Sequence, residues 1–383
     1  MDLFELAAQP SAEAVRAVET LHKKLAVGEV MGGELIAKVS SMVIRDKLVP
    51  PKAMEFLPFN GTGTDGIRIM YGGLAHSIHN HALNQLASTA GIPKMFVTRL
   101  VSGEPWEREL LVKNFEEIYH KAAFKGRRDA APMFLHRIVG SELRGFLSRS
   151  YNRYLASAPL LRAYVEACTA VGAIPIDAVA SDIRISLKCY LPHVFEPVPN
   201  EFVGVGVNWT NSDFGSGRLK VSLSVMRISS GTMAVWEDKI SRVHLGSVIQ
   251  ESDIEISDET AIKEVEAQSS AIHDAVRGQL SPEAVAQVLK VISIAHEEEI
   301  PWHKLKAMFG QLLTKKELEL VETMLKAGNS DIIDLPPVGV KGDTPVATRW
   351  WAANVLGYVA SSEKSADRKL DLQALAGEVM DAA

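Results

Sequence analysis

Three runs of strict alternation between residues 183 and 246 constrain this chain most. In the first, Ile183, Ile185, Leu187 and Cys189 share one face, opposite Arg184, Ser186, Lys188 and Tyr190. In the second, Val203, Val205 and Val207 alternate with Phe202, Gly204, Gly206 and Asn208. In the third, Leu219, Val221, Leu223 and Val225 oppose Arg218, Lys220, Ser222, Ser224 and Met226. Period-two alternation rich in β-branched residues predicts neighbouring strands of an antiparallel sheet with one buried side. Residues 210–217, dense in turn formers, read as a long hairpin loop joining the second run to the third. The polar face carries Arg184, Lys188, Arg218 and Lys220 and no acidic residue, which predicts a cationic sheet surface.

The rest of the chain reads mostly as helix. Ser11 can cap a helix through Val15, Val18, Leu21 and Leu25, and a second helix spans 33 to about 46 before Pro50 and Pro51 end it. Further helices are expected over 76–90, 94–100, 106–123 and 159–171, with a tight hairpin over 134–148 turning at Gly140, Ser141 and Glu142. An acidic run over 250–266 opens a helix continuing to Arg277, and acid at a helix start suits its dipole. That run reads as a solvated face, a subunit contact for basic residues elsewhere, or a carboxylate metal site. Ser281 and Pro282 cap and start the next helix, and helices over 302–309, 314–327 and 348–360 follow. The expectation is an α+β fold: a mainly helical segment over 1–120, an α+β core over 121–250 and a helical region over 251–383. Its central antiparallel sheet would be built from the 134–148 hairpin and the 183–236 strands.

Composition narrows the function classes. Hydrophobic residues make up 47% and charged residues 23% of 383, the balance of a globular protein. No run of about eighteen apolar residues and no basic-then-apolar start is present, so neither a membrane span nor a secretory signal is expected. With only Cys168 and Cys189, a disulfide framework or cysteine-rich zinc site cannot form, and a reducing compartment is the natural setting. The net charge of −6 is unevenly spread. From 121 to 160, eight basic residues including Arg144, Arg149 and Arg153 meet only Asp129 and Glu142, with Tyr151 and Tyr154 among them. Cations interleaved with aromatics suit a single strand, offering charge to phosphates and ring faces to bases. The plainer reading is a solvated hairpin with two core tyrosines.

Familiar catalytic patterns are missing. Gly61 to Gly66 is glycine-rich but lacks the Lys-Ser/Thr of a P-loop, and reads as a surface turn. Gly204 and Gly206 lie inside a strand and read as a close-packing or bulge site. His76, His79 and His81 invite a metal site, but on a helix His81 points about 200° from His79, and no H-E-x-x-H spacing occurs. His244 with Asp213 or Asp238 could form an acid/base pair, though a lone histidine at a strand end is more often structural. No nucleophile, base and oxyanion donors assemble into a set.

Several segments together resemble a known family. These are 143–148 with Tyr151, the 185–191 strand, Gly204-Val205-Gly206-Val207, Asn211-Ser212-Asp213-Phe214-Gly215, Met226-Arg227 with Gly231, His244-Leu245-Gly246, and Arg349-Trp350 with Asn354 and Tyr358. The chain is similar, over about 82–381, to the phage- and plasmid-borne domain of unknown function family 932. Its N-S-[DE]-x-G turn and the following R-hydrophobic-x-x-G segment are the most specific parts. Ser229-Ser230-Gly231 departs from the family's Cys-x-Asn-Gly-like tetrad, which argues against a catalytic cysteine. The resemblance implies DNA handling on a mobile element, and in outline the fold expectation is analogous to phage single-strand annealing proteins.

The leading expectation is therefore a single-stranded DNA-binding, strand-annealing protein, oligomeric as a ring or filament, acting without ATP or another cofactor in the cytoplasm of a bacterial host. Arg144, Arg149, Arg153, Arg184, Lys188, Arg218 and Lys220 would hold phosphates. Tyr151, Tyr154, Trp209 and Phe214 would offer stacking platforms, with Trp209 alternatively a core residue. A phage assembly protein that oligomerises through the basic segment is the second expectation, and an enzyme of unknown chemistry the third. If the face bearing Arg184, Lys188, Arg218 and Lys220 is buried, this assignment fails.

Overall fold

Helix α2 (Ala12–Ser41) starts where the Ser11 hydroxyl accepts the Ala14 N–H at 3.0 Å, as the capping pattern predicts. It follows a single turn, α1 (Leu3–Leu6), and runs unbroken through Gly28, Gly32 and Gly33. The expected second helix over 33–46 is thus the end of α2, and Arg45 and Asp46 belong instead to strand β1 (Ile44–Val49). The computed structural model describes residues 3–59, 66–121, 133–149, 151–152, 155–236, 258–310, 312–327, 339–341 and 344–381.

After β1 come β2 (Glu55–Pro58), β3 (Ile67–Tyr71) and β4 (Leu74–Ile78), then α3 (Asn80–Ala90), α4 (Lys94–Val101) and α5 (Pro105–Lys121). The expected 134–148 hairpin is β5 (Phe134–Val139) and β6 (Glu142–Ser148), turning at Gly140, whose φ of 60° suits a residue without Cβ. These six strands form one sheet in the order β1-β5-β6-β4-β3-β2, antiparallel except where β4 runs parallel to β6. Residues 76–78 therefore form strand rather than helix: Ser77 pairs with Glu142 and Ile78 with Leu143, far along the chain. Phe56, Ile69, Phe146 and Leu143 pack beneath α3, α4 and α5 with Leu86, Val97 and Phe115.

The alternating runs form a second sheet, so the single central sheet expected from sequence is in fact two. Helix α6 (Ser157–Ala170) leads into β7 (Ile174–Ala180), β8 (Ile185–Val198), β9 (Glu201–Asn211), β10 (Lys220–Arg227) and β11 (Met233–Trp236). They lie in the order β11-β10-β9-β8-β7, all antiparallel. Helices α7 (Asp258–Gln279), α8 (Pro282–Glu297), α9 (Trp302–Phe309) and α10 (Lys315–Ala327) follow. A short ribbon of β12 (Gly339–Lys341) and β13 (Thr344–Val346) precedes α11 (Arg349–Ser362) and α12 (Ala366–Asp381). The Ser281 cap and Pro282 start are as read from sequence. The architecture is α+β, and among the described residues no helix is long and apolar enough to cross a membrane.

The Leu187–Val205–Leu223 face of the second sheet packs on α6, α7, α8 and α11 through Tyr164, Val276, Val288 and Trp350. Its other face is also covered, which corrects the expectation of one solvated side. The amino-terminal half of α2 packs there, with Leu21 and Leu25 against Tyr190, Val194 and Met226. Farther along, α2 gives Leu35 and Val39 to the first face's core, so it crosses edge strand β7 and shields it. Tyr190 packs its ring on Gly204 and Gly206, the close packing read from the sequence.

Candidate functional site

Two features organise the site: the 212–219 loop between β9 and β10, and α12 laid across the polar face. The loop is gripped from both sheets. Asp213 is 2% exposed and accepts the Ser157 N–H at 2.9 Å, while its carbonyl accepts Arg137 Nη1 at 2.6 Å from β5. Arg137 also bonds Asp46 of β1 at 3.0 Å. The Phe214 carbonyl lies 2.9 Å from both His81 Nε2 and Gln85 Nε2 of α3, and Gln85 accepts the Phe146 N–H at 2.8 Å. Ser212 donates to the Ile183 carbonyl at 2.6 Å, and Tyr151 donates to the Ser212 carbonyl at 2.7 Å. The N-S-D-F-G turn is thus a clasp between the sheets. Burial raises the Asp213 carboxyl against its hydrogen bonds from Ser157 and the charge of Arg137, and burial likewise pushes Tyr151 up to about 12.

The polar face is cationic only in the runs read from the sequence; β7 and α12 bring carboxylates to it. Lys188, fully buried, donates to Asp177 of neighbouring β7 at 2.8 Å, and Lys369 of α12 reaches the same carboxylate at 3.5 Å. Burial pushes the Lys188 ammonium down although Asp177 opposes it. Burial alone would raise Asp177, but Lys188 and Lys369 together hold its carboxyl below the usual range. Beside them Ser186 donates to Asn208 Oδ1 at 2.6 Å, and Tyr190 bonds Ser224 at 2.6 Å. Helix α12 docks through Asp371 on Arg184 at 2.7 Å and Asp367 on Ser181 at 3.0 Å. Sequence reasoning missed Asp177, Asp367 and Asp371 because pairing across strands and from a distant helix leaves no local pattern.

Where this cover is incomplete, two clefts remain. The larger, about 340 Å³, lies between β8–β10 and α12 and is lined by Arg184, Asn208, Thr210, Arg218, Lys220 and, from α12, Leu370, Asp371, Ala374 and Glu378. The smaller, about 170 Å³, is lined by Lys38, Arg144, Ser181, Asp182, Arg184, Asp213 and Phe214. Arg184 lines both.

The burial that would defeat the assignment holds at Lys188 but not at Arg184, Arg218 and Lys220, and the sequence-expected residues separate accordingly. Arg218 is exposed and Lys220 half-buried at the larger cleft; Arg144 lies on the smaller and pairs with Glu142 at 2.8 Å; Arg184 serves both. Lys188 is corrected to an internal ion pair. Trp209 is fully buried against Tyr164, so it is core and presents no ring to a base. Phe214, buried on Gly145, is likewise corrected from a stacking platform to a structural part, while Tyr151 is half-buried and its hydroxyl holds the clasp. Arg149 is half-buried just past β6, away from both clefts' linings. Arg153 and Tyr154 lie outside the described residues, as do the 60–65 glycine turn, Asp238, His244 and the start of the acidic run.

The three histidines do not converge. His76 is buried in β4, His79 caps α3 by accepting the His81 N–H at 3.2 Å, and His81 turns to Phe214. Among the described residues no cluster of three or more histidine, cysteine or carboxylate side chains could hold a metal ion. Comparison with protein-family models, curated proteins and solved structures finds nothing that matches this chain.

Proposed function

We propose that the chain binds single-stranded nucleic acid along the band of cations that lines the two clefts, and that its role is to hold a strand for annealing. The observation that carries this reading is the convergence of Lys38, Arg144, Arg184, Arg218 and Lys220, from four separate stretches of chain, on two clefts that share Arg184 in their linings. Phosphates would lie against Arg218 and Lys220 at the mouth of the larger cleft and run past Arg184 toward Arg144 and Lys38. Arg184 is already oriented by Asp371 and by its bond to the Ser216 carbonyl at 3.2 Å, so it would contribute direction more than net charge. A strand held by its phosphates keeps most base edges free to pair, and the step needs neither a covalent intermediate nor nucleotide hydrolysis.

The test is fluorescence anisotropy of a labelled oligo-dT over a salt series, comparing wild type with Arg218→Ala/Lys220→Ala. Affinity should fall with salt, and the variant should bind about tenfold more weakly at low salt. Absence of binding by the wild type at low salt, or an unchanged variant, would overturn the proposal.

A further inference from the structure

We infer that the larger cleft is a recess for one nucleobase of the bound strand. The inference rests on the nucleic-acid reading above and adds a base contact to what is otherwise a grip on phosphates. It comes from the floor of the cleft. Asn208 is 4% exposed and lines the cleft from β9. Its Oδ1 accepts the Ser186 hydroxyl, while its amide nitrogen donates to no group among the described residues. That nitrogen is not among the fully buried polar atoms left without a partner, so it is a donor that water or a ligand in the cleft can meet. Thr210, two residues on and on the same face, adds a hydroxyl and stands opposite Lys220 in the β9–β10 register.

The walls complete a nucleotide-shaped environment. Leu312, Leu370 and Ala374 supply an apolar side for a ring face, opposite the polar floor that meets the ring edge. A volume of about 340 Å³ is at the small end of ligand pockets, which run from about 300 to 1,000 Å³. It suits a single flipped base and not a duplex. Charge selects further. Arg184, Arg218 and Lys220 outnumber Asp371 and Glu378 by one charge in the lining. That balance matches the single negative charge of one phosphodiester, whereas a free triphosphate would crowd the two carboxylates of α12. The cleft thus fits a nucleotide presented within a strand. A base edge with carbonyl acceptors, as in thymine, would receive the Asn208 donors.

Two labelled oligomers of equal length separate the possibilities: oligo-dT, and an abasic oligomer with the same phosphates. Wild type should bind oligo-dT about tenfold more tightly than the abasic strand, the size of one base contact. Asn208→Ala should remove most of that preference and leave abasic binding unchanged. Ala374→Phe fills the recess from α12 without altering the sheet, and should do the same, so the question stays answerable if Asn208→Ala does not fold. Equal affinity of wild type for both strands would overturn the recess and leave the phosphate grip standing. Binding of neither strand would remove the nucleic-acid reading and the recess with it.

Discussion

Lys188 sits where an ammonium group is least favoured, fully buried between strands, and stays tolerable only because Asp177 lies 2.8 Å away. Lys188→Met should remove about 3 kcal/mol of stability, since it leaves the Asp177 carboxylate buried with only the more distant Lys369. Adding Asp177→Leu should recover part of that loss, because two apolar side chains leave no uncompensated charge; urea unfolding of the single and double variants measures both effects. A worse double variant would mean the pair contributes more than mutual neutralisation. His136 gives a second residue-scale prediction. It is buried in the first sheet, with Nδ1 bonded to the Tyr71 hydroxyl and Nε2 without a hydrogen-bond partner. Burial first, and then Lys47, push it down to about 3. An unfolded imidazole titrates near 6.5, so between pH 6.5 and 3 the unfolded chain binds more protons than the folded one. Stability contributed by the neutral ring is complete above pH 6.5 and is lost as the pH falls through that window, by about 1.4 kcal/mol per unit once well inside it. His136→Gln should flatten the dependence of unfolding free energy on pH between 7 and 5. Equal slopes for the two proteins would place the acid sensitivity elsewhere.

At the scale of elements, α2 tests how helix and sheet fit. A Cβ on Gly28 would lie 2.2 Å from the Cα of Ile176, whereas one on Gly33 would meet nothing within 4 Å. The same substitution in the same helix should therefore have opposite signs. Gly33→Ala should raise stability by about 0.5–1 kcal/mol through helix propensity and unfolded-state entropy. Gly28→Ala should lower it by about 2 kcal/mol or more, because the opposing atom is backbone and cannot rotate away. Thermal unfolding decides, and two changes of the same sign would mean that α2 does not press on β7. The same glycines explain why α2 read as two helices: they suggest a break locally, and the close approach to β7 that requires them is invisible in sequence. The alternation of β8, β9 and β10 was legible because side-chain facing is a local property of strands. What covers each face was not, since α12 reaches Arg184 and Asp177 from some 190 residues downstream. Nor did the 134–148 hairpin announce its sheet. Its neighbours β1 and β4 lie 64 to 95 residues earlier, and the 44–49 segment carries no clean alternation. The clasp motif was conspicuous as Asn-Ser-Asp-Phe-Gly, but its partners Arg137, His81 and Gln85 come from a different layer.

For the whole molecule, the question is how a chain with net charge −6 could hold a polyanion. The answer is local: a negative exterior lowers association from a distance, but affinity depends on the cations that displace counterions at the strand. Those cations are fewer than the sequence promised. Lys188 is internal, Arg184 is matched by Asp371, and Arg144 is matched by Glu142. Arg218, Lys220 and Lys38 also line the two clefts and would supply three of the contacts there. Three phosphate contacts on a single strand give a slope of log affinity against log salt of about −2, at about −0.7 per contact. The measured slope for oligo-dT should fall near that value and become shallower by about 1.4 in Arg218→Ala/Lys220→Ala. A slope steeper than about −4 would require cations beyond the clefts, and the Lys125, Arg127 and Arg128 cluster, which lies outside the described residues, would be the first to replace with alanine. A wild-type slope near zero with measurable binding would instead assign the affinity to base contacts, shifting the weight of recognition from the cationic rim to the floor around Asn208.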